Sequence, residues 1–138
     1  MRAAAATAII IRLSLVLLSF DSTMAMSRAR IHVEGKVQGV YYRETTRLKG
    51  TALGLTGAAW NLPDKRVEIV AEGPRASIEA LVAWCKKGPE GAAEVGVTDS
   101  LTKKRLVTKV SVSWLAEDTD GPREFSEFKN GGKKNASR

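Results

Sequence analysis

One cysteine, one histidine and eight aromatic residues are all that the 138-residue chain holds of three side-chain classes on which much protein chemistry rests. A lone Cys85 excludes an internal disulfide and a cysteine-based zinc site, and a lone His32 excludes a multi-histidine metal centre. No metal site and no other cofactor is expected. Aromatics make up only 6% of the chain, so the stacking signature of an RNA-recognition module is missing. Acidic residues are also outnumbered, 15 against 22 Lys and Arg, which gives a net charge of +7. That balance draws anions of every kind, from nucleic acid to phosphorylated metabolites, without choosing among them. The apolar run from Ile9 to Phe20 is short and broken by Arg12, so no stable membrane span is expected.

What is present suits one modest domain. A hydrophobic fraction of 43% beside 27% charged residues is ordinary for a globular chain of this length. The ends differ from the middle. Residues 1–26 are expected to be a targeting segment or a disordered extension, because Met1 to Phe20 carries Arg2 and Arg12 and no acid precedes Asp21. Thr23-Met24-Ala25 suits a secretory cleavage site, Arg12 suits an organelle presequence, and Met24 or Met26 suits the start of a cytosolic form. The compartment is therefore cytoplasmic if the extension is not a working signal, and secretory or organellar otherwise. Residues 130–138, polar, glycine-bearing and basic, read as a disordered tail, which leaves residues 28–129 for the domain.

Within that domain, Ala29, Ile31 and Val33 alternate with Arg30, His32 and Glu34, the period of a strand buried on one face, with His32 on the polar side. Thr45, Leu48, Ala52 and Leu55 recur at helical spacing, with Gly54 suited to the stop and Gly50 an internal liability of roughly 1 kcal/mol against alanine. Strands are predicted over Thr56 to Asn61 and Arg66 to Glu72, joined by the turn Leu62-Pro63-Asp64-Lys65. Gly73-Pro74 opens a second helix whose stripe is Ile78, Leu81, Val82 and Cys85, and Lys86 to Pro89 stop it. Cys85 and Trp84 read as packing residues. Val110, Val112 and Trp114 alternate as a further strand, and Phe125 to Phe128 adds a short edge. The order strand, helix, strand, strand, helix, strand predicts an α+β, ferredoxin-like (split βαβ) two-layer sandwich, with a mainly antiparallel sheet and both helices on one face.

The chemistry concentrates in Gly35-Lys36-Val37-Gln38-Gly39-Val40-Tyr41-Tyr42-Arg43. Glycines at both ends of the loop let successive N–H groups turn inward on one oxyanion, and the helix that follows aims its positive dipole end at the same place. Arg43 stands at the helix start, where its planar fork can grip two phosphate oxygens. These residues, with Leu53-Gly54-Leu55-Thr56-Gly57, Asn61, Asp64, Val67, Glu68 and Gly88-Pro89, make the chain resemble the acylphosphatase family from about Ala29 to Phe128. The resemblance implies hydrolysis of the carboxyl–phosphate bond of small acyl phosphates without a metal ion. It implies Arg43 and Asn61 as the catalytic pair, and Gln38, Gly39, Val40, Tyr41, Tyr42 and Arg43 as the phosphate-binding residues. The partner is then a small-molecule substrate, with no nucleic acid and a monomeric protein expected.

The chain departs from the family pattern at three places. Ala58 stands where the family usually has tryptophan, Trp60 where it has a basic residue, and Asp64-Lys65 where it has Asp-Gly. Lysine resists positive φ, so another hairpin turn type is expected after Asn61. The stretch from Ala92 to Lys109 is expected to be an extended or shifted connection before the final long strand, with its basic run Lys103-Lys104-Arg105 a solvated loop. Two rival functions remain in view, a phosphate-binding domain without turnover and an RNA-binding ferredoxin-like module.

Overall fold

Alternation buries Ala29, Ile31 and Val33 completely on one side of the first strand, β1 (Met26–Lys36). In the computed structural model, which describes residues 25–135, the chain continues as α1 (Tyr42–Ala52), β2 (Thr56–Asn61), β3 (Val67–Gly73) and α2 (Arg75–Cys85). A short helix α3 (Pro89–Glu94), a 3-10 turn (Thr102–Lys104), β4 (Leu106–Thr119) and β5 (Phe128–Lys133) complete it. The strands lie in the order β4-β1-β3-β2-β5. All neighbours are antiparallel except β2 and β5. Because β1 and β2 flank β3, the crossover through α1 is the split βαβ unit, and α2 carries the chain from β3 to β4.

Tyr42 of α1 and Ile78, Leu81, Trp84 and Cys85 of α2 share one core cluster with Ile31, Val33, Val67 and Ile69 of the sheet. Both main helices therefore cover the same face, and the fold is the ferredoxin-like sandwich. Burial pushes the Cys85 thiol up to about 12, so the lone cysteine is inert packing. Trp84 is likewise spent on packing, its Nε1 donating to the Gly91 carbonyl at 2.9 Å. His32 sits on the open face of the sheet, 2.9 Å from Glu68 Oε1. Among the described residues no helix is long and apolar enough to cross a membrane.

Three expectations need correction. Met26 already belongs to β1, so the N-terminal extension ends before it; residues 1–24 lie outside the described residues. Of the tail expected over residues 130–138, the part to Lys133 is instead an edge strand, paired in parallel with β2 and tied by Lys134 to Glu68, while residues 136–138 lie outside the described residues. The basic run Lys103-Lys104-Arg105 is not solvated throughout. Lys103 and Lys104 are exposed, but Arg105 is only 4% exposed and β4 begins at Leu106.

Gly50 explains why a strand of such composition stays put. A Cβ there would lie 2.4 Å from the ring of Phe128, so the bare backbone of α1 is what lets β5 dock. Helix propensity alone makes Gly50→Ala stabilising by about 1 kcal/mol. The packing reverses the sign: thermal or urea unfolding of Gly50→Ala should show a loss of about 1–2 kcal/mol.

Candidate active site

The loop between β1 and α1 is shaped by two residues in the left-handed region, Gly39 at φ 74° and Tyr41 at φ 58°. Glycine adopts that region freely, whereas a tyrosine does so only when its surroundings hold it there. The first internal bond of α1 runs from the Thr45 N–H to the Tyr41 carbonyl at 3.0 Å. The N–H groups of Tyr42, Arg43 and Glu44 thus precede any helical acceptor and point out of the helix end.

Four of the loop residues singled out in the sequence, Gly39, Tyr41, Tyr42 and Arg43, line one cleft of about 250 Å³ with Asn61, the last residue of β2. Asn130 of β5 and Leu101 also line it. Arg43 lies beside the glycine backbone of β5, where a Cβ on Gly132 would come 3.8 Å from its Nη1. The nearest acid in sequence, Glu44, is engaged by Arg47 at 2.6 Å, and that bond holds its carboxyl below the ordinary range. Asn61 Oδ1 is buried, and no donor among the described residues reaches it. Its carbonyl accepts from the Lys134 N–H at 2.9 Å.

The other two candidates serve from outside the cleft. The Gln38 amide donates to the carbonyls of Leu62 at 2.9 Å and Arg66 at 3.0 Å, the two ends of the hairpin after Asn61. Val40 buries its side chain in the core. Tyr42 likewise buries its ring and donates its hydroxyl to the Cys85 carbonyl at 2.7 Å, so only its backbone faces the cleft. His32 does not approach the cleft. Among the described residues no group of three or more His, Cys, Asp or Glu side chains is placed to hold a metal ion.

The departures at Ala58 and Trp60 fall on the opposite face of β2 from Asn61, because strand side chains alternate. Trp60 lies against Gly131, where a Cβ would come 2.2 Å from Nε1, and Lys134 Nζ sits 4.6 Å from the centre of its ring. The hairpin expectation is corrected by Lys65, which takes φ 78°, the position a glycine would occupy. Lys65 N–H closes the turn on the Leu62 carbonyl at 3.2 Å, and Asp64 Oδ1 accepts from the Arg66 N–H at 3.1 Å. The hairpin thus turns through the three residues Pro63 to Lys65, with lysine bearing the strain. The sequence carries no signal for the left-handed Tyr41 or for Arg105, which approaches the loop from behind.

The family model described as Acylphosphatase matches residues 29–128. An acylphosphatase of Marinobacter nauticus is 56% identical over 83 residues, which is 60% of this chain and 86% of that protein. One of Haloarcula marismortui is 51% identical over 91 residues, 66% of this chain and 100% of that protein. The solved structure of an acylphosphatase from Coxiella burnetii aligns at a TM-score of 0.60 and 31% identity, covering 77% of this chain and 93% of that one.

Relief of the strain at Lys65 makes Lys65→Gly stabilising by about 0.5–1 kcal/mol after the entropy of the freer unfolded chain is subtracted, measured as a shift in the urea midpoint.

Proposed function

The chain belongs to the acylphosphatase family and hydrolyses the carboxyl–phosphate bond of small acyl phosphates, and from that premise we propose that Arg43 and the loop amides hold the phosphoryl group while Asn61 holds the attacking water. The observation that carries this reading is the meeting of Gly39, Tyr41, Tyr42 and Arg43 at the open end of α1 with Asn61 in a single cleft. All of these residues come from one chain, so the proposed site needs no second copy. The catalytic domain runs from Met26 through Lys134, since β5 contributes Asn130 and Gly132 to the site's wall.

The reaction asks for positioning and charge. The leaving group is a carboxylate, stable enough to depart without a proton. The phosphoryl group passes through a loose transition state whose charge spreads over three outer oxygens, and preorganised donors stabilise it. Arg43 supplies a bidentate cation and the helix end supplies N–H groups. One water must stand in line with the departing carboxylate. An amide both donates and accepts but is no base, so Asn61 at the cleft wall orients the water through its side-chain amide, and the water's proton passes to the phosphate itself. The products are a carboxylate and phosphate, with the water's oxygen on phosphorus.

Two substitutions separate the roles. Arg43→Lys keeps the charge but loses the fork, so phosphate affinity falls and turnover drops by on the order of a thousandfold in a steady-state assay. A lysine variant with near-normal kinetics would place the phosphate elsewhere. Asn61→Ala removes an interaction made at the transition state, so turnover falls by on the order of a hundredfold while phosphate binds nearly as before. Unchanged turnover per folded molecule beside a lowered Tm would reduce Asn61 to a hairpin cap.

A further inference from the structure

Arg105 is the one strongly basic side chain among the described residues that is buried with no carboxylate beside it. It is 4% exposed, stacks over the Tyr42 ring with its Cζ 4.8 Å from the ring centre, and leaves Nε and Nη1 without partners. Nη2 makes both of its bonds, one to the Val40 carbonyl at 3.1 Å and one to Thr45 Oγ1 at 3.0 Å. Leaving a guanidinium this dry costs free energy, and burial lowers its pKa from the ordinary value, although an arginine stays charged.

We propose that Arg105 is a positioning residue of the phosphate cradle, setting the direction of its amides from behind through Val40 and Thr45; this rests on the assignment of the phosphate to the Gly39–Arg43 loop. The described peptide bonds are all trans, so the carbonyl of one residue and the N–H of the next point in opposite directions. Arg105 draws the Val40 carbonyl inward, which turns the Tyr41 N–H toward the cleft. Thr45, accepting from Arg105, donates its own hydroxyl to the Tyr42 carbonyl at 3.0 Å, and Thr46 donates to the same oxygen at 2.8 Å. That holds the peptide whose other end is the Arg43 N–H. One buried cation thereby fixes two amides of the cradle, helps hold Tyr41 in its left-handed conformation, and stands as a positive charge behind the anion's seat. Desolvation strengthens that charge's field at the cleft.

The test compares wild type, Arg105→Met, Arg105→Lys and Arg43→Lys in the full chain, with inorganic phosphate as the ligand and benzoyl phosphate as the substrate. Losing both charge-assisted hydrogen bonds behind the cradle, and the field of the charge, should weaken phosphate binding and raise KM by on the order of tenfold in Arg105→Met, with kcat changing less than KM. Arg105→Lys, which restores a charged donor, should recover much of that loss. In nitrogen-labelled wild type, phosphate should move the Tyr41 amide proton strongly, and the shift should shrink in the methionine variant. If Arg105→Met does not fold, Arg105→Gln carries the comparison, and the wild-type Tyr41 amide still decides: left unmoved by saturating phosphate, it overturns the proposal. A methionine variant with a lower Tm but wild-type phosphate affinity per folded molecule also overturns it, while Arg43→Lys still loses affinity and the cradle stands. If Arg43→Lys binds phosphate normally as well, the cradle assignment itself falls, and the role of Arg105 with it.

Discussion

The Gln38 side-chain amide spans the space between the loop that ends β1 and the hairpin that ends β2, donating at 2.9 and 3.0 Å to the carbonyls of Leu62 and Arg66. Loop and hairpin have no continuous ladder between them, yet the phosphoryl group and its attacking water must be placed together within tenths of an ångström. With both Gln38 protons fixed on the hairpin, displacement of Asn61 relative to the loop breaks a pair of half-buried bonds. The loop itself obeys a related constraint. An anion seat needs N–H groups turned outward, so the matching carbonyls need acceptor work on the inner side. Arg105, Thr45 and Thr46 meet that need at Val40 and Tyr42.

The last strand closes the site from its other side. β5 pairs in parallel with β2 and sets Gly132 beside Arg43, while its Phe128 ring fills the space left by Gly50. The glycines that make this segment look like a tail are required by its neighbours: Trp60 lies where a Cβ of Gly131 would be. Trp60 and the β5 glycines are therefore one packing solution. The substitution of Trp60 for a basic residue leaves the catalytic face of β2 alone, and Lys134 over the ring restores positive charge to that neighbourhood.

How much of this was legible in the sequence follows from which signals are local. The alternation at Ala29, Ile31 and Val33 and the stripe from Ile78 to Cys85 report burial directly, so β1 and α2 were readable, and the nonapeptide ending at Arg43 marked the loop that lines the cleft of the proposed site. The edge strand expected at Phe125 to Phe128 begins only at Phe128 and runs on to Lys133, because an edge strand held by backbone bonds on one side needs no apolar alternation to mark its extent. Arg105 was misread because a basic residue in a basic run resembles a solvated one, and only the packing of Tyr42 and the loop carbonyls above it reveals its burial. Lys65 took a glycine's conformation against its own preference, since the hairpin ends held by Gln38 leave no room for another turn.

At the centre of the account is a water, held by Asn61, attacking a phosphorus atom held by Arg43 and the loop amides. Hydrolysis of benzoyl phosphate in water enriched in heavy oxygen tests it most directly, with mass spectrometry of both products after a single turnover. The account predicts the label in inorganic phosphate and none in benzoate, because the phosphorus–oxygen bond to the carboxylate is the one that breaks. Label in the benzoate carboxyl would mean attack at the carbonyl carbon, and would contradict the assignment of both residues.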